Sequence, residues 1–153
     1  MRKEDMCLYV TVFKIDSCQF YRRKRIFTFI IDESMVQAGY KHAWIWIAIE
    51  SVHKSIIGIH ISEERIMFVA KNFIHSLVSK YGKHTIYTDG GTPYPQTCTF
   101  LHLKHRLHLP LEKSMIERIM QYFKDRTKSF DDYFPCNSNK QNCYLQHIYN
   151  WIK

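Results

Sequence analysis

The sequence predicts an α/β domain whose centre is a mixed five-stranded sheet flanked by helices. Three apolar segments rich in β-branched and aromatic residues come first, separated by short links. Beyond them the spacing of apolar residues changes to that of a helix, and helical and extended segments then alternate. Strands followed by alternating helix and strand favour three antiparallel strands that are continued by parallel strands in the same sheet.

The first three segments predict an antiparallel meander. Residues 25–31 (RIFTFII) form the first predicted strand, which runs directly into Asp32. Residues 43–49 (AWIWIAI) and 56–61 (IIGIHI) form the second and third, and a short link at 53–55 separates these two. Links this short join strands that lie side by side and run in opposite directions.

The middle of the chain predicts a long helix and a short strand. Apolar residues at helical spacing place the helix at 65–80, and the pair Tyr81 and Gly82 ends it. The strand at 85–88 then delivers Asp89 into two glycines, which let backbone or substrate approach closely.

The last predicted strand and helix complete the sheet. After a loop or short helix, residues 103–109 are predicted to be extended, and Pro110 opens a helix that runs to about Lys128. We expect one catalytic domain over 26–153. Residues 1–25, which end in a basic run, are expected to be a short N-terminal extension without a complete helix-turn-helix.

Composition favours an intracellular protein with an anionic partner. The chain carries 22 Lys and Arg against 14 Asp and Glu, a formal charge of +8, and nucleic acid is the leading candidate partner. An odd number of cysteines and no secretory leader predict a reduced setting. No stretch approaches the roughly 18 apolar residues of a membrane span, so we expect no membrane partner.

Three acids lie where the predicted strands and the last helix meet. Asp32 follows the first strand, Asp89 follows the fourth, and Glu117 lies inside the helix. Each has an ordinary interpretation, because such aspartates are typical of turns and a helical glutamate is usually solvated. Lys113 and Lys124 share the face of Glu117, where they would form surface ion pairs or flank a metal site and bind DNA phosphates.

These acids are the residue types that phosphodiester chemistry requires. The reaction needs a deprotonated nucleophile, a stabilised leaving oxygen and positive charge that neutralises the crowded phosphate and carboxylate groups. Two divalent ions about 3.5–4 Å apart meet all three needs. Carboxylate oxygens are the ligands that suit Mg²⁺.

The acids and their neighbours resemble the DDE transposases of bacterial and archaeal insertion sequences, above all the archaeal branch of the insertion sequence six family. The resemblance is carried by 29–34 (FIIDES), 87–95 (YTDGGTPYP) and 112–127 (EKSMIERIMQYFKDRT). Residues 129–136 (SFDDYFPC) and 147–151 (HIYNW) are similar as well. Together the blocks cover nearly everything from about residue 21 onward, in the right order.

The resemblance implies a ribonuclease H-like fold, two Mg²⁺ or Mn²⁺ ions, and a DNA transposase that cuts and joins element ends. Asp32, Asp89 and Glu117 would be the catalytic, metal-binding triad. The partners would be element ends and target DNA, with a homodimer or larger assembly, in the cytoplasm of a prokaryote at the nucleoid. The chain departs from the family at Pro93, where an aromatic residue is usual, and in the missing helix-turn-helix.

Two alternatives to a transposase stay open. The first is a structure-selective nuclease on the same fold, which shares the chemistry but joins no DNA. The second is a truncated or inactive remnant that only binds DNA or dimerises. Basic side chains near the acids are expected to bind DNA phosphates, although those that follow Glu117 at the end of the helix could instead form a solvated face. They are Lys104, Arg106, Lys113, Arg118, Lys124, Arg126 and Lys128.

Neighbouring acids and tyrosines are given other roles. Glu33 follows Asp32 directly, and successive strand side chains face opposite sides, so we expect Glu33 to support the site or be solvated. Glu112 lies in the first helical turn, roughly 140° around the helix from Glu117, and is expected to be a capping charge. Nothing beyond abundance favours Tyr87 and Tyr94 as recombinase nucleophiles.

Two groups of histidine and cysteine residues suggest zinc only weakly. The first has helical spacing inside a segment that reads as extended, and it comprises His102, His105 and His108. The second has intervals of six and then three residues, which is not a common zinc signature. It comprises Cys136, Cys143 and His147. Packing is the favoured role of the second group, and metal binding there stays open.

Overall fold

The computed structural model describes residues 26–38 and 41–128, with the backbone alone at 37–38, 41 and 126–128. The predicted extension at 1–25 and the group Cys136, Cys143 and His147 therefore lie outside the described residues. The elements are β1 (Thr28–Ala38), β2 (Lys41–Glu50), β3 (Ser55–Ser62), α1 (Met67–Tyr81), β4 (Thr85–Thr88), α2 (Pro93–Phe100), β5 (His105–Leu107) and α3 (Pro110–Lys128).

The five strands form one mixed sheet in the order β3-β2-β1-β4-β5. β1, β2 and β3 pair antiparallel, while β4 pairs parallel with β1 and β5 pairs parallel with β4. The predicted sheet of three antiparallel strands continued by parallel strands is thereby confirmed. The crossover through α1 returns the chain to the far side of β1, which places β4 directly beside it.

Alternation of side chains along the strands gives each face of the sheet its own core. On one face, Ile30 and Val36 of β1 pack with Ile116 and Met120 of α3. On the other face, Phe29 and Ile31 of β1 pack under α1 and α2. Successive side chains of β1 therefore pack in the cores on opposite faces of the sheet.

The first strand is longer than predicted. The sequence placed its end at Ile31, yet β1 continues to Ala38 because residues 32–38 remain paired with β2, from Asp32 opposite Ile47 to Ala38 opposite Lys41. Polar residues at 32–34 resemble the end of a strand, but they lie where the hairpin extends beyond β4. Asp32 therefore lies within β1, not at its end.

The remaining boundaries differ by a few residues. α1 begins at Met67 instead of residue 65, and Gly82 caps it with φ of 86°, as predicted for the end of this helix. β5 covers only His105–Leu107 of the predicted 103–109. The segment between β4 and β5 is the short helix α2, with Pro93 in its first turn, where a missing N–H costs nothing.

Two findings bear on other sequence-based expectations. Among the described residues, no helix combines the length and the apolar character that a membrane crossing requires. Cys98 is a buried free thiol, packed with the α1 and α2 layer, as expected for a structural cysteine.

Gly58 is the position where close packing of α1 on β3 leaves no room for a side chain. A Cβ there would lie 2.7 Å from Leu77 Cδ2 and 3.4 Å from Phe73 Cε2. We predict that Gly58→Ala lowers the free energy of unfolding by about 1–3 kcal/mol through overpacking, measured by chemical denaturation. Ser55→Ala, on the same strand, is the control and should change it by less than about 0.5 kcal/mol. An unchanged Gly58→Ala protein would contradict this packing.

Candidate active site

Asp32 lies within β1, and Asp89 directly follows the neighbouring strand β4. The parallel pairing of β1 with β4 ends with Ile30 opposite Tyr87. Two residues further along each chain come Asp32 and Asp89. Because a step of two along a strand keeps the same face of a sheet, Asp32 lies on the face of Ile30, which α3 covers. Asp89 comes one residue after β4, and its charge raises the pKa of Asp32. The topology thus brings together two acids that are far apart in sequence.

Asp32 is enclosed within a crowded acidic region. Burial is the main cause that raises its pKa from 3.8 to about 7, and the carboxylates of Glu33, Asp89 and Glu117 raise it further. The backbone N–H of Glu33 donates to Asp32 Oδ1 at 2.9 Å and opposes that rise. Burial and neighbouring carboxylates therefore both disfavour the charged form of Asp32.

Asp89 is held by the tight turn that follows β4. Its Oδ1 accepts a hydrogen bond of 2.8 Å from the backbone N–H of Gly91, and the N–H of Gly90 donates to Thr88 Oγ1 at 3.0 Å. Gly90 has φ of 84°, a conformation that favours glycine. The side chain of Asp89 remains exposed at the open end of the sheet.

Glu117 shares a cleft with Asp32. The buried Ile116 and Met120 fix α3 against β1 and place Glu117 beside the strand. An open cleft of about 540 Å³ results. It is lined by Asp32, Glu33, Ser34, Ser114, Glu117, Arg118, Met120, Gln121 and Lys124.

The carboxylate of Glu117 is not turned fully toward Asp32. The side chain is 58% exposed, and Oε1 lies 3.8 Å from Lys113 Nζ, the surface pair that the spacing had offered as one alternative. Within the described part of the chain, no three His, Cys, Asp or Glu side chains are grouped as ligands around one ion. The donor chemistry suits Mg²⁺, since all three acids supply hard oxygens and neighbouring carboxylates disfavour the charged form of Asp32.

Glu112 occupies the first turn of α3, as predicted. Its Oε2 is buried and has no hydrogen-bond partner among the described residues. Its charge acts on His108, which also lies near Asp89. The position agrees with a charge at the helix N-terminus and keeps Glu112 apart from the residues that line the cleft.

Glu33 points to the opposite face from Asp32, as strand alternation predicted. Its side chain is 2% exposed, so the solvated alternative is wrong. Arg65 and the hydroxyl of Tyr94 both donate to its carboxylate. Sequence reasoning did not predict these partners. An arginine just before a helix, where its charge is unfavourable, is the signal that would have pointed to Arg65.

Two histidines of the weak zinc candidate, His105 and His108, make structural hydrogen bonds. His105 Nε2 lies 2.8 Å from Thr88 Oγ1, and His108 Nε2 donates to the carbonyl of Tyr87 at 3.1 Å. Burial lowers the pKa of both imidazoles. The backbone groups of Tyr87 and Ile31 partly oppose the effect of burial on the pKa of His108.

The predicted DNA-binding residues fall into three groups. Arg118 and Lys124 line the cleft with Asp32, and Lys113 pairs with Glu117. Lys104 and Arg106 are exposed at the β5 edge, on the side of Asp89. The side chains of Arg126 and Lys128, at the end of α3, lie outside the described residues.

Comparison with known proteins gives a family match and a relative. Residues 26–131, more than half of the chain, match the family model of the DDE domain of transposases. An uncharacterized protein of Methanocaldococcus jannaschii is 30% identical over 130 residues, which are 80% of this chain and 60% of that protein. The chain thus spans about 60% of this relative's length. The archaeal branch of the family stays a prediction.

Solved structures show similarity to integrase catalytic cores. The HTLV-2 integrase catalytic core domain, in a dimeric form with magnesium, superposes with a TM-score of 0.57 at 16% identity, over 84% of this chain and 83% of that one. The BIV integrase catalytic core gives 0.53 at 14% identity, over 82% and 98%. At these identities the similarity concerns the fold alone, and it confirms the ribonuclease H-like fold.

The raised pKa of Asp32 predicts that the stability of the metal-free protein depends on pH. Because the folded state holds the Asp32 proton more tightly than the unfolded chain, stability without metal should fall as pH rises from 3.8 to about 7. Asp32→Asn removes the charge. We expect it to stabilise the metal-free protein by on the order of 2–4 kcal/mol near pH 8 and by less near pH 5. Thermal unfolding at both pH values, without metal, measures the gain, and an equal gain at both would contradict the raised pKa.

Proposed function

We propose that this chain, which belongs to the DDE-domain family of transposases, catalyses cleavage and strand transfer at the ends of a mobile DNA element. The observation that supports the proposal is that Asp32 and Glu117 line one cleft of an integrase-like sheet and that the charges of Asp89 and Glu117 both act on Asp32. Burial, and then the charges of Glu33, Asp89 and Glu117, raise the pKa of Asp32 to about 7, so a divalent ion bound there would favour its charged form.

Asp32, Asp89 and Glu117 would together hold two Mg²⁺ or Mn²⁺ ions. Bound there, the ions supply Lewis acidity at the scissile phosphate and lower the pKa of the attacking water or 3′-hydroxyl. Asp32, held within β1 by pairing with Ile47 of β2, would orient one carboxylate. The Gly90–Gly91 turn lets DNA approach Asp89 closely. Glu117 would complete the site by leaving Lys113 through rotation of its exposed side chain.

DNA would lie along the cleft beside α3. Arg118 and Lys124 line that cleft and reach phosphates on either side of the acids, while Lys104 and Arg106 extend the basic surface past Asp89. The formal charge of +8 fits such a partner. Joining two element ends requires two catalytic units, so we propose a homodimer or larger assembly on DNA, acting at the nucleoid. The HTLV-2 integrase core was solved as a dimer.

Substitutions of two glutamates of α3 distinguish a role in catalysis from a role in helix stability. Glu117→Gln keeps size and hydrogen bonding but removes the metal-binding charge, so we predict that Mg²⁺-dependent joining of a pre-cut end drops by orders of magnitude while stability barely changes. Glu112→Gln is the matched control on the same helix. It should cost about 0.3–1 kcal/mol of stability through the dipole and leave joining nearly intact. The reverse pattern would show that Glu112 is the third acid.

The basic cleft predicts phosphate contacts without sequence preference. Replacing Arg118 or Lys124 by Gln should weaken binding of any duplex equally and reduce the slope of log affinity against log salt by about one for each contact. Fluorescence anisotropy at several salt concentrations measures this. Lys80→Gln, on the opposite side of the sheet at the end of α1, is the control. Salt slopes that remain at the wild-type value in both cleft variants would contradict binding in the cleft.

The outcome of joining assays separates the proposal from its alternatives. A nuclease on this fold would nick DNA with Mg²⁺ but join no 3′-hydroxyl to a target. An inactive remnant would bind DNA and do neither. Joining of a pre-cut end by the unmodified chain supports the transposase.

A further inference from the structure

A polar network lies directly behind the two aspartates, on the α1 and α2 side of the sheet. Its centre is the buried carboxylate of Glu33, the residue that follows Asp32. Arg65 Nε donates to Glu33 Oε1 at 2.5 Å, and Arg65 Nη2 pairs with the same oxygen. Tyr94, which is fully buried, donates its hydroxyl to the other oxygen, Oε2. Both carboxylate oxygens are thus occupied by partners from other elements.

Each member of the network is fixed from behind. The guanidinium of Arg65 lies 5.3 Å from the centre of the Trp44 ring. The segment before it is anchored by Ser62, whose hydroxyl accepts from Trp46 Nε1 at 2.8 Å and donates to the carbonyl of Glu64 at 2.7 Å. The Tyr94 ring packs edge-on against Trp46, with 6.1 Å between ring centres. These aromatic contacts join β2, the β3–α1 link and α2.

The network contacts the turn that carries Asp89. A Cβ placed on Gly91 would lie 2.8 Å from Arg65 Nη2 and 3.0 Å from Asp89 Oδ1, so the guanidinium and the Asp89 carboxylate face each other across that glycine. The backbone N–H of Tyr94 also donates to the carbonyl of Gly91 at 3.1 Å. Glu33 ties this turn to β1, one residue away from Asp32.

We infer that Glu33, Arg65 and Tyr94 are positioning residues that hold the Asp89 turn (residues 89–92) at the level of Asp32. The inference rests on the proposed function, because it concerns the geometry of the same acids. Its physical basis is that β4 ends at Thr88, so no strand pairing fixes Asp89 relative to Asp32 beyond that point. The network replaces the missing backbone pairing with side-chain hydrogen bonds.

The electrostatic cost of Glu33 supports this role. Its carboxylate raises the pKa of Asp32, next after burial among the causes, and it raises that of Tyr94 as well. A neutral residue would pack beside Asp32 without that repulsion. What the carboxylate supplies, and a neutral residue would not, is two oxygens that bind Arg65 and Tyr94 from opposite sides.

Metal affinity is the property that positioning controls most directly. We would measure Mn²⁺ binding to the whole chain by titration calorimetry, for wild type, Glu33→Gln and Tyr94→Phe. Partners that orient metal ligands typically contribute about 10–100-fold in affinity, so we expect a loss of about tenfold or more for Glu33→Gln and a smaller loss for Tyr94→Phe. Tyr94→Phe keeps the ring contact with Trp46 and so remains folded if Glu33→Gln does not.

Gly91→Ala tests the position of the turn without removing any hydrogen-bonding side chain. Its methyl group would enter between Arg65 and Asp89, and φ at this residue is not in the left-handed range. We expect it to weaken Mn²⁺ binding as Tyr94→Phe does. Glu50→Gln is the matched control, because Glu50 is similarly buried at the end of β2. Its carboxylate accepts hydrogen bonds from the backbone N–H groups of Val52 and His53 in the β2–β3 turn and does not contact the Asp89 turn. This substitution should lower thermal stability and leave Mn²⁺ affinity unchanged.

Each outcome decides the inference. Wild-type Mn²⁺ affinity in Glu33→Gln, Tyr94→Phe and Gly91→Ala would overturn it, and so would an equal loss in Glu50→Gln, because that would show general destabilisation. Asp32→Asn separates this from failure of the proposed function. If Asp32→Asn binds Mn²⁺ as wild type does, the metal site itself is misplaced and both proposals fall.

Discussion

Burial of Asp32 among other carboxylates, at the junction of β1 and β4, is the constraint on which the arrangement of this domain depends. Asp32 lies in the row of β1 that otherwise holds Ile30 and Val36 against α3, and burial together with Glu33, Asp89 and Glu117 raises its pKa to about 7. A charged group in such a place lowers stability unless something of opposite charge joins it. The apolar cores on both faces of the sheet offset that cost, and a divalent ion would remove it.

The two faces of the sheet have different roles in the site. The α3 face carries the groups that would touch metal and DNA, with Asp32, Ser34 and Glu117 along one cleft. The opposite face carries the groups that hold them, with Glu33 bound to Arg65 and Tyr94. Because neighbouring residues of a strand point to opposite sides, two adjacent acids serve both purposes. Strand alternation therefore places the supporting hydrogen bonds on one face of the sheet and the open cleft on the other.

The features of the site that depend on local residue spacing could be predicted from the sequence. The helix face shared by Lys113 and Glu117, the capping position of Glu112 and the opposite orientation of Glu33 all follow from helix and strand periods. The end of β1 was misplaced at Ile31, because polar residues at 32–34 give no local sign that pairing with β2 continues. The partners of Glu33 are 32 and 61 residues away, so only the strand order could reveal them.

Locating Mn²⁺ by anomalous scattering in crystals of this chain tests the central claim most directly. If the carboxylates at the β1–β4 junction form the metal site, an ion will lie between Asp32 and Asp89, with Glu117 turned from Lys113 toward a second ion beside Asp32. An ordered ion held instead by Glu112 and His108, or none at the junction at saturating Mn²⁺, would contradict the assignment of these three acids.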